Sequence, residues 1–188
     1  MADEPLDRIS EQLGGEAAEN SQPASPPLQL WHPELSGDID ILIRRDGGWW
    51  HEGEPIRRSS IVRLFASILR READGDYYLV TPVEKWRIKV EGFPLQVVDF
   101  DGGESREHGA IITVVTNTGR RYLLGHDYPL FMPEASGEPE VPAVGLDHGL
   151  TAQFNRAAWY RLVESAQERD GVMGVESAGL FFPITPGH

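Results

Sequence analysis

From Lys85 onward the segment Val83-Glu84-Lys85-Trp86-Arg87-Ile88-Lys89-Val90 alternates strictly between cationic and apolar side chains. Successive side chains of a β-strand point to opposite faces. One face therefore carries Trp86, Ile88 and Val90, and the other carries Lys85, Arg87 and Lys89. Like-facing cations on such a strand are about 6.6–6.8 Å apart. This is the pattern of a half-buried strand, so the fold needs a sheet with one apolar and one polar face. The cations also need an opposite charge. The chain has a net charge of -13. Its own carboxylates are one source of that charge, and an anionic ligand is the other.

With 40% hydrophobic and 25% charged residues among 188, the chain has the composition of an ordinary globular protein of one domain or two small ones. It has no cysteine, which excludes disulfides, thiolate chemistry and cysteine-ligated metals and fits a cytoplasmic setting. The acidic start Met1-Ala2-Asp3-Glu4-Pro5 lacks the apolar run of a signal peptide. No apolar stretch approaches the roughly 20 residues of a membrane span. A strongly acidic chain repels a phosphate backbone, so neither a nucleic-acid polymer nor a membrane is an expected partner. Arginine outnumbers lysine heavily, yet both lysines of the chain stand in the alternating strand. A compact ammonium and a planar guanidinium are not interchangeable.

Residues 1–27 are rich in Asp, Glu, Ser, Ala, Gln and Pro, with six carboxylates against Arg8 alone. They read as a disordered or partner-docked acidic tail, with at most a frayed amphipathic turn around Leu6, Ile9 and Leu13. Residues 28–95 and 96–188 then read as two α+β domains. In the first, Ile39–Ile43, the turn Asp46-Gly47-Gly48 and Trp49-Trp50-His51 form a hairpin. Two adjacent tryptophans on a strand face opposite ways. Ser59 or Ser60 is expected to cap a helix over Ile61–Arg71, with Ile61, Leu64, Phe65, Ile68 and Leu69 inward. Arg70 and Arg71 would suit its C-terminal dipole end. Tyr77–Thr81 follows as a strand, broken by Pro82.

The second half follows a similar plan. Strands are expected at Ile111–Val115, Arg121–Leu124 and Gly179–Pro183, with a Pro/Gly-rich connection over 133–149. A helix is expected from about Ala152 to Gln167, with Phe154, Ala158, Leu162 and Ala166 inward. Arg58, Arg63 and Leu64 recur in the same spacing as Arg156, Arg161 and Leu162. That recurrence predicts a duplicated hairpin–helix–strand unit.

The basic row is the leading candidate site. Lys85, Arg87 and Lys89 could hold a phosphate or carboxylate, with Arg57 or Arg58 added from a helix start whose N–H groups are free. The alternative is that the row pairs with internal carboxylates or protects an edge strand. Trp49, Trp50 and Trp86 could stack on a flat ligand, or fill the core. His32, His51, His108, His126 and His148 show no metal-binding spacing, although His126-Asp127 and Asp147-His148 could meet. Ser177 only loosely resembles a nucleophile elbow. No metal and no cofactor are expected.

The stretch Asp46-Gly-Gly-Trp49, His51-Glu-Gly-Glu-Pro55-Ile56, Arg63-Leu-Phe65, Asp74-Gly-Asp-Tyr77 and Leu79-Val-Thr-Pro-Val-Glu-Lys85-Trp-Arg87-Ile resembles a bacterial family of domains of unknown function. Gly149-Leu-Thr-Ala-Gln-Phe-Asn-Arg156-Ala and Tyr160 resemble its second helix. The resemblance implies a duplicated α+β architecture whose second half is pleckstrin-homology-like. It also implies a small, nucleotide-like ligand between the halves and a role in signalling. It places Trp49, His51, Arg58, Arg63, Lys85 and Arg87 at matching motif positions.

The expectation is therefore two repeated small α+β domains, each an antiparallel sheet with one main helix. The leading function is a non-enzymatic module for a small anionic, nucleotide-like ligand. The rival is a protein–protein adaptor with a structural basic strand and an acidic tail for a partner protein. A small hydrolase would have only His51 with Glu52 or Glu84 as acid–base groups.

Overall fold

The computed structural model describes residues 5–13, 25–134 and 141–184. The chain forms two sheet-rich α+β units. The first comprises residues 1–94 with 148–150, and the second 95–147 with 151–188.

Unit 1 begins with α1 (Pro5–Gln12). Leu6, Ile9 and Leu13 lie on one stripe, and Ile9 is fully buried. The expectation of a disordered tail is corrected for this stretch, where burial of one aliphatic side chain holds a short helix that would be marginal alone. Residues 1–4 and 14–24 of that tail lie outside the described residues. Then come β1 (Leu35–Ile43), β2 (Trp49–His51), β3 (Glu54–Pro55), α2 (Ser59–Ser67), β4 (Leu69–Arg71), β5 (Tyr77–Val80) and β6 (Lys85–Val90). The predicted hairpin is present, since β1 and β2 pair antiparallel with Ile43 opposite Trp49. Its turn is closed by Asp46, whose Oδ1 accepts from the Gly48 N–H at 2.9 Å, while Gly47 takes φ +84°. As two adjacent tryptophans require, Trp49 is buried and Trp50 is half-exposed under Arg44, whose guanidinium carbon lies 3.6 Å from the ring centroid.

The helix α2 is shorter than its apolar periodicity predicts. Ser59 and Ser60 lie inside it, Arg58 occupies the cap position, and no side chain caps it. It stops at Ser67, whose hydroxyl donates to the Leu64 carbonyl at 2.6 Å. Ile68 and Leu69, both fully buried, leave the helix. The Val80 N–H bonds the Ile68 carbonyl at 3.0 Å, and Leu69 pairs with Leu79 of β5. An apolar pair buries as well in a strand as in a helix, and here the sheet wins. Each fully buried aliphatic or aromatic side chain contributes roughly 1.5–3 kcal/mol.

The sheet of unit 1 runs β3-β2-β1-β6-β5-β4. Its two halves are antiparallel meanders, but β1 and β6 at the centre run parallel. The all-antiparallel expectation is thus corrected to a mixed sheet. Alternation of side chains reveals a strand but carries no information about the direction of a distant partner.

Unit 2 contains β7 (Leu95–Ser105), β8 (Gly109–Thr116), β9 (Arg121–Leu123), β10 (Leu130–Phe131), β11 (Ala143–Gly145), β12 (Thr151–Phe154), α3 (Arg156–Glu164), β13 (Gln167–Arg169), β14 (Val172–Ser177) and β15 (Leu180–Pro183). Its main sheet runs β10-β11-β12-β7-β8-β9, with β12 and β7 parallel at the centre. The strands β13-β14-β15 form a separate antiparallel sheet. Within unit 2, β14 lies against β8 and β15 against β10, so the main sheet is curled into a half-barrel. The predicted helix over 152–167 loses its first turn to β12. Asn155 caps α3 instead, its Oδ1 accepting from the Ala158 N–H at 2.8 Å. Phe154 is buried from the strand, not from the helix.

The two main sheets share one plan: an opening meander, a second meander, and a parallel pairing of the first strand with the last. The helices do not share it. In unit 1, α2 stands between the meanders, whereas in unit 2 α3 follows the sixth strand. The repeat therefore lies in the strands, and the Arg-Arg-Leu agreement between the helices does not mark equivalent positions. Among the described residues, no helix is long and apolar enough to cross a membrane.

Candidate functional site

The basic row lies on β6, between β1 and β5. Lys85 is fixed at both ends. Its backbone N–H donates to Ser36 Oγ at 3.1 Å, and its Nζ donates to Glu72 Oε2 at 3.0 Å. The ammonium also stands 4.9 Å from the centroid of the Tyr78 ring. Glu72 is shared, because Oε1 accepts from Arg70 Nη2 at 2.5 Å. The other terminal nitrogen of Arg70, Nη1, donates to the carbonyls of Leu28 at 3.1 Å and Trp31 at 2.9 Å. Arg70 thus ties the segment preceding β1 to the edge strand β4.

Arg87 is closed in the same way. Its Nε donates to Asp38 Oδ1 at 2.6 Å, and its Nη1 to Asp76 Oδ2 at 3.3 Å. Asp38 is the register partner of Arg87 across the parallel pairing, so the sheet itself presents the carboxylate. Tyr78 lies opposite Arg87 on β5 and donates to Asp74 Oδ2 at 2.6 Å. Asp74 also accepts from the Asp76 N–H at 2.9 Å, which closes the turn Asp74-Gly75-Asp76. Lys89, the third cation, is exposed.

These contacts shift the titrating groups. Burial opposes ionisation of Glu72, but hydrogen bonds and charge from Arg70 and Lys85 outweigh it and hold the carboxyl below its usual range. The Tyr78 hydroxyl and the Asp76 N–H lower Asp74 in the same direction. In return, the hydrogen bond to Asp74 pushes the Tyr78 phenol up to about 12.

Lys85 and Arg87 are brought together on one sheet face. Trp49 and His51 are not brought to them. Across the sheet, Trp49 aligns with Ile43 and Val90, and Trp50 aligns with Leu42 and Lys89. Directly paired residues share a face. Trp49 and His51 therefore lie on the apolar face of the strand row, and the tryptophan on the cationic face is Trp50, covered by Arg44. Trp49 itself packs on Phe65, with centroids 6.4 Å apart. Arg58 is exposed at the start of α2, and Arg63 is half-buried within it.

The residues that close the row were not named from the sequence. Asp38 is 49 positions from Arg87 and Glu72 is 13 from Lys85, so no local pattern connects them. The excess of carboxylates was the available signal. Elsewhere, Ser177 is fully buried and structural: its Oγ accepts from the Ile112 N–H at 2.8 Å and donates to the Leu124 carbonyl at 2.7 Å. Among the described residues, no group of three His, Asp or Glu side chains is placed to hold a metal.

This fold and this site define a two-unit, sheet-rich protein with an ion-paired basic strand. Residues 26–93 match the model of the N-terminal domain of unknown function DUF1285, and residues 94–184 match the DUF1285 C-terminal domain, of a protein of unknown function. The chain belongs to the DUF1285 family. It is similar to the solved structure of a DUF1285 family protein from Silicibacter pomeroyi DSS-3, at 39% identity and a TM-score of 0.78, covering 85% of this chain and 86% of that one. It is also similar to a DUF1285 family protein from Shewanella baltica OS155, at 31% identity and a TM-score of 0.53, covering 66% of this chain and 90% of that one. No curated protein matches the chain.

Proposed function

We propose that this chain is a non-enzymatic protein–protein adaptor whose basic strand is a structural scaffold. The observation that carries this reading is the closure of both Lys85 and Arg87 on carboxylates of the same chain, at 3.0 and 2.6 Å. Apolar side chains stand exposed around the Lys85 end of that scaffold. Leu35 is its register partner and is 47% exposed, and Val83, two residues earlier, is 68% exposed. Leu30 lies between the two carbonyls that Arg70 holds and is 71% exposed. An apolar rim beside a satisfied charge network suits a protein partner. A basic protein meeting the acidic residues of the tail belongs to the same reading.

A second reading is a site for a small anionic, nucleotide-like ligand with a role in signalling. It is supported by Arg57 and Arg58, which are exposed at the start of α2 and have no ion-pair partner among the described residues. A pleckstrin-homology-like character for the second unit is also a proposal, supported by its curled sheet, its separate antiparallel sheet and α3, the one α-helix among its described residues. So does a cytoplasmic setting, supported by a sequence without cysteine.

A thermal-shift screen separates the two functions. Nucleotides, phosphates and carboxylates are tested on the wild type and on the Lys85→Ala/Arg87→Ala chain. A ligand at 100 times its Kd adds about 2.7 kcal/mol, or roughly 5–10 °C for a chain of this size. The adaptor reading expects no anion-dependent shift and a less stable variant. A shift in the wild type that the folded variant loses would overturn it.

A further inference from the structure

The helix α1 is seated on the other face of β6. Ile9 is fully buried, and the polar contacts around it are few. Arg8 Nη2 stands 3.6 Å from Glu84 Oε1, Gln12 Nε2 donates to Glu84 Oε2 at 3.2 Å, and the Arg8 guanidinium carbon is 5.9 Å from the Trp86 ring centroid. Each of these two side chains also carries a buried donor, Arg8 Nε–H and Trp86 Nε1–H, with no acceptor among the described residues. A desolvated donor without a partner weakens the contact that buries it. An eight-residue helix is also too short to persist without its dock. The seat is therefore matched in charge but poorly satisfied by the helix that fills it.

We infer that the surface formed by Glu84 and Trp86 is a docking site for an amphipathic helix of a partner protein, and that α1 is its resident, self-masking occupant. The inference deepens the adaptor reading and rests on it. The partner helix carries an aliphatic anchor at the position of Ile9 and an arginine one residue before it, facing Glu84. An oxygen acceptor for the Trp86 indole N–H, which α1 does not supply, gives the partner its advantage. Tethering keeps α1 at high local concentration, so the site is masked until a better-matched helix competes.

The test uses the full chain carrying Ile9→Asp, which unseats α1, and a fluorescein-labelled peptide of residues 3–16. The peptide is expected to bind this chain saturably and about tenfold or more tightly than it binds the wild type, where tethered α1 competes. The peptide carrying Arg8→Glu is expected to lose that binding and to regain it on the Ile9→Asp/Glu84→Arg chain. If Ile9→Asp prevents folding, Arg8→Glu in the full chain unseats α1 by repulsion from Glu84 and takes its place. Absence of saturable binding, or equal binding to wild type and variant, overturns the inference. Concentration-dependent dimerisation of the wild type through exchange of α1 would assign the seat to a second copy and also overturn it. None of these outcomes depends on the anion screen, so failure here and failure of the adaptor reading remain distinguishable.

Discussion

Lys85 and Arg70 share one carboxylate, Glu72, which receives Lys85 on Oε2 at 3.0 Å and Arg70 on Oε1 at 2.5 Å. The three side chains join β6, the edge strand β4 and the segment Leu28–Trp31 into one charged clamp. Removing the anion would leave two cations facing each other in a partly buried site. Glu72→Gln is predicted to destabilise the protein by about 1–3 kcal/mol at neutral pH, measured by urea unfolding.

That loss should depend on pH. The folded-state pKa of Glu72 is depressed. Such a carboxyl stabilises fully above its unfolded pKa of about 4.3 and loses that contribution as pH falls through the lower folded value. The stability gap between wild type and Glu72→Gln should therefore be constant above about pH 5 and shrink below it. A gap that is unchanged at pH 3 would mean the variant acts through packing.

Tyr78 offers a signal at the other end of the scale. Its phenol is pushed up to about 12 by Asp74, and Tyr128 reaches about 12 through burial and its bond to Asp147. An ultraviolet titration should show tyrosines ionising well above the usual value of about 10. Tyr78→Phe should remove one of these late steps. A raised folded pKa contributes stability below the unfolded value, and this is lost as pH rises from about 10 to 12.

The helix caps give a paired prediction. Asn155→Ala removes the side-chain acceptor of the Ala158 N–H and should cost about 0.5–2 kcal/mol. Ser59→Ala and Ser60→Ala should cost far less as caps, because neither serine holds the cap position of α2. Comparable losses at all three sites would contradict the observed start of α2.

Much of unit 1 was legible because its signals are local. Asp46-Gly47-Gly48 specified the hairpin, and Ile61, Leu64 and Phe65 specified the helix by their spacing. Lys85 to Val90 specified a strand by alternation. What stayed hidden was settled by distant partners. Ile68 and Leu69 continue the helical period, yet pairing with β5 makes them strand. Asn155 reads as an interior helical position until Phe154 is drawn into β12. The strand β7 was not anticipated, because Asp99 and Asp101 interrupt its apolar residues. The basic row was visible in the sequence, but its partners Asp38, Glu72 and Asp76 reach it only through the strand order.

Close approach of the backbone in the third sheet can be probed directly. A Cβ added at Gly174 would meet the Phe182 carbonyl oxygen at 2.5 Å and, closer still, the Phe181 ring. The carbonyl belongs to the β14–β15 pairing and cannot simply rotate away. Gly174→Ala is predicted to lower stability by about 1–3 kcal/mol, read from the thermal midpoint.

Lys85 and Arg87 of the basic strand are held by this chain's own carboxylates. A double-mutant cycle on Lys85 and Glu72, using Lys85→Met and Glu72→Gln, tests this most directly. A coupling energy of about 0.5–3 kcal/mol is predicted, with no dependence on added phosphate or nucleotide. Coupling indistinguishable from zero, together with stabilisation of the wild type by such an anion, would contradict the scaffold and return Lys85 to a ligand.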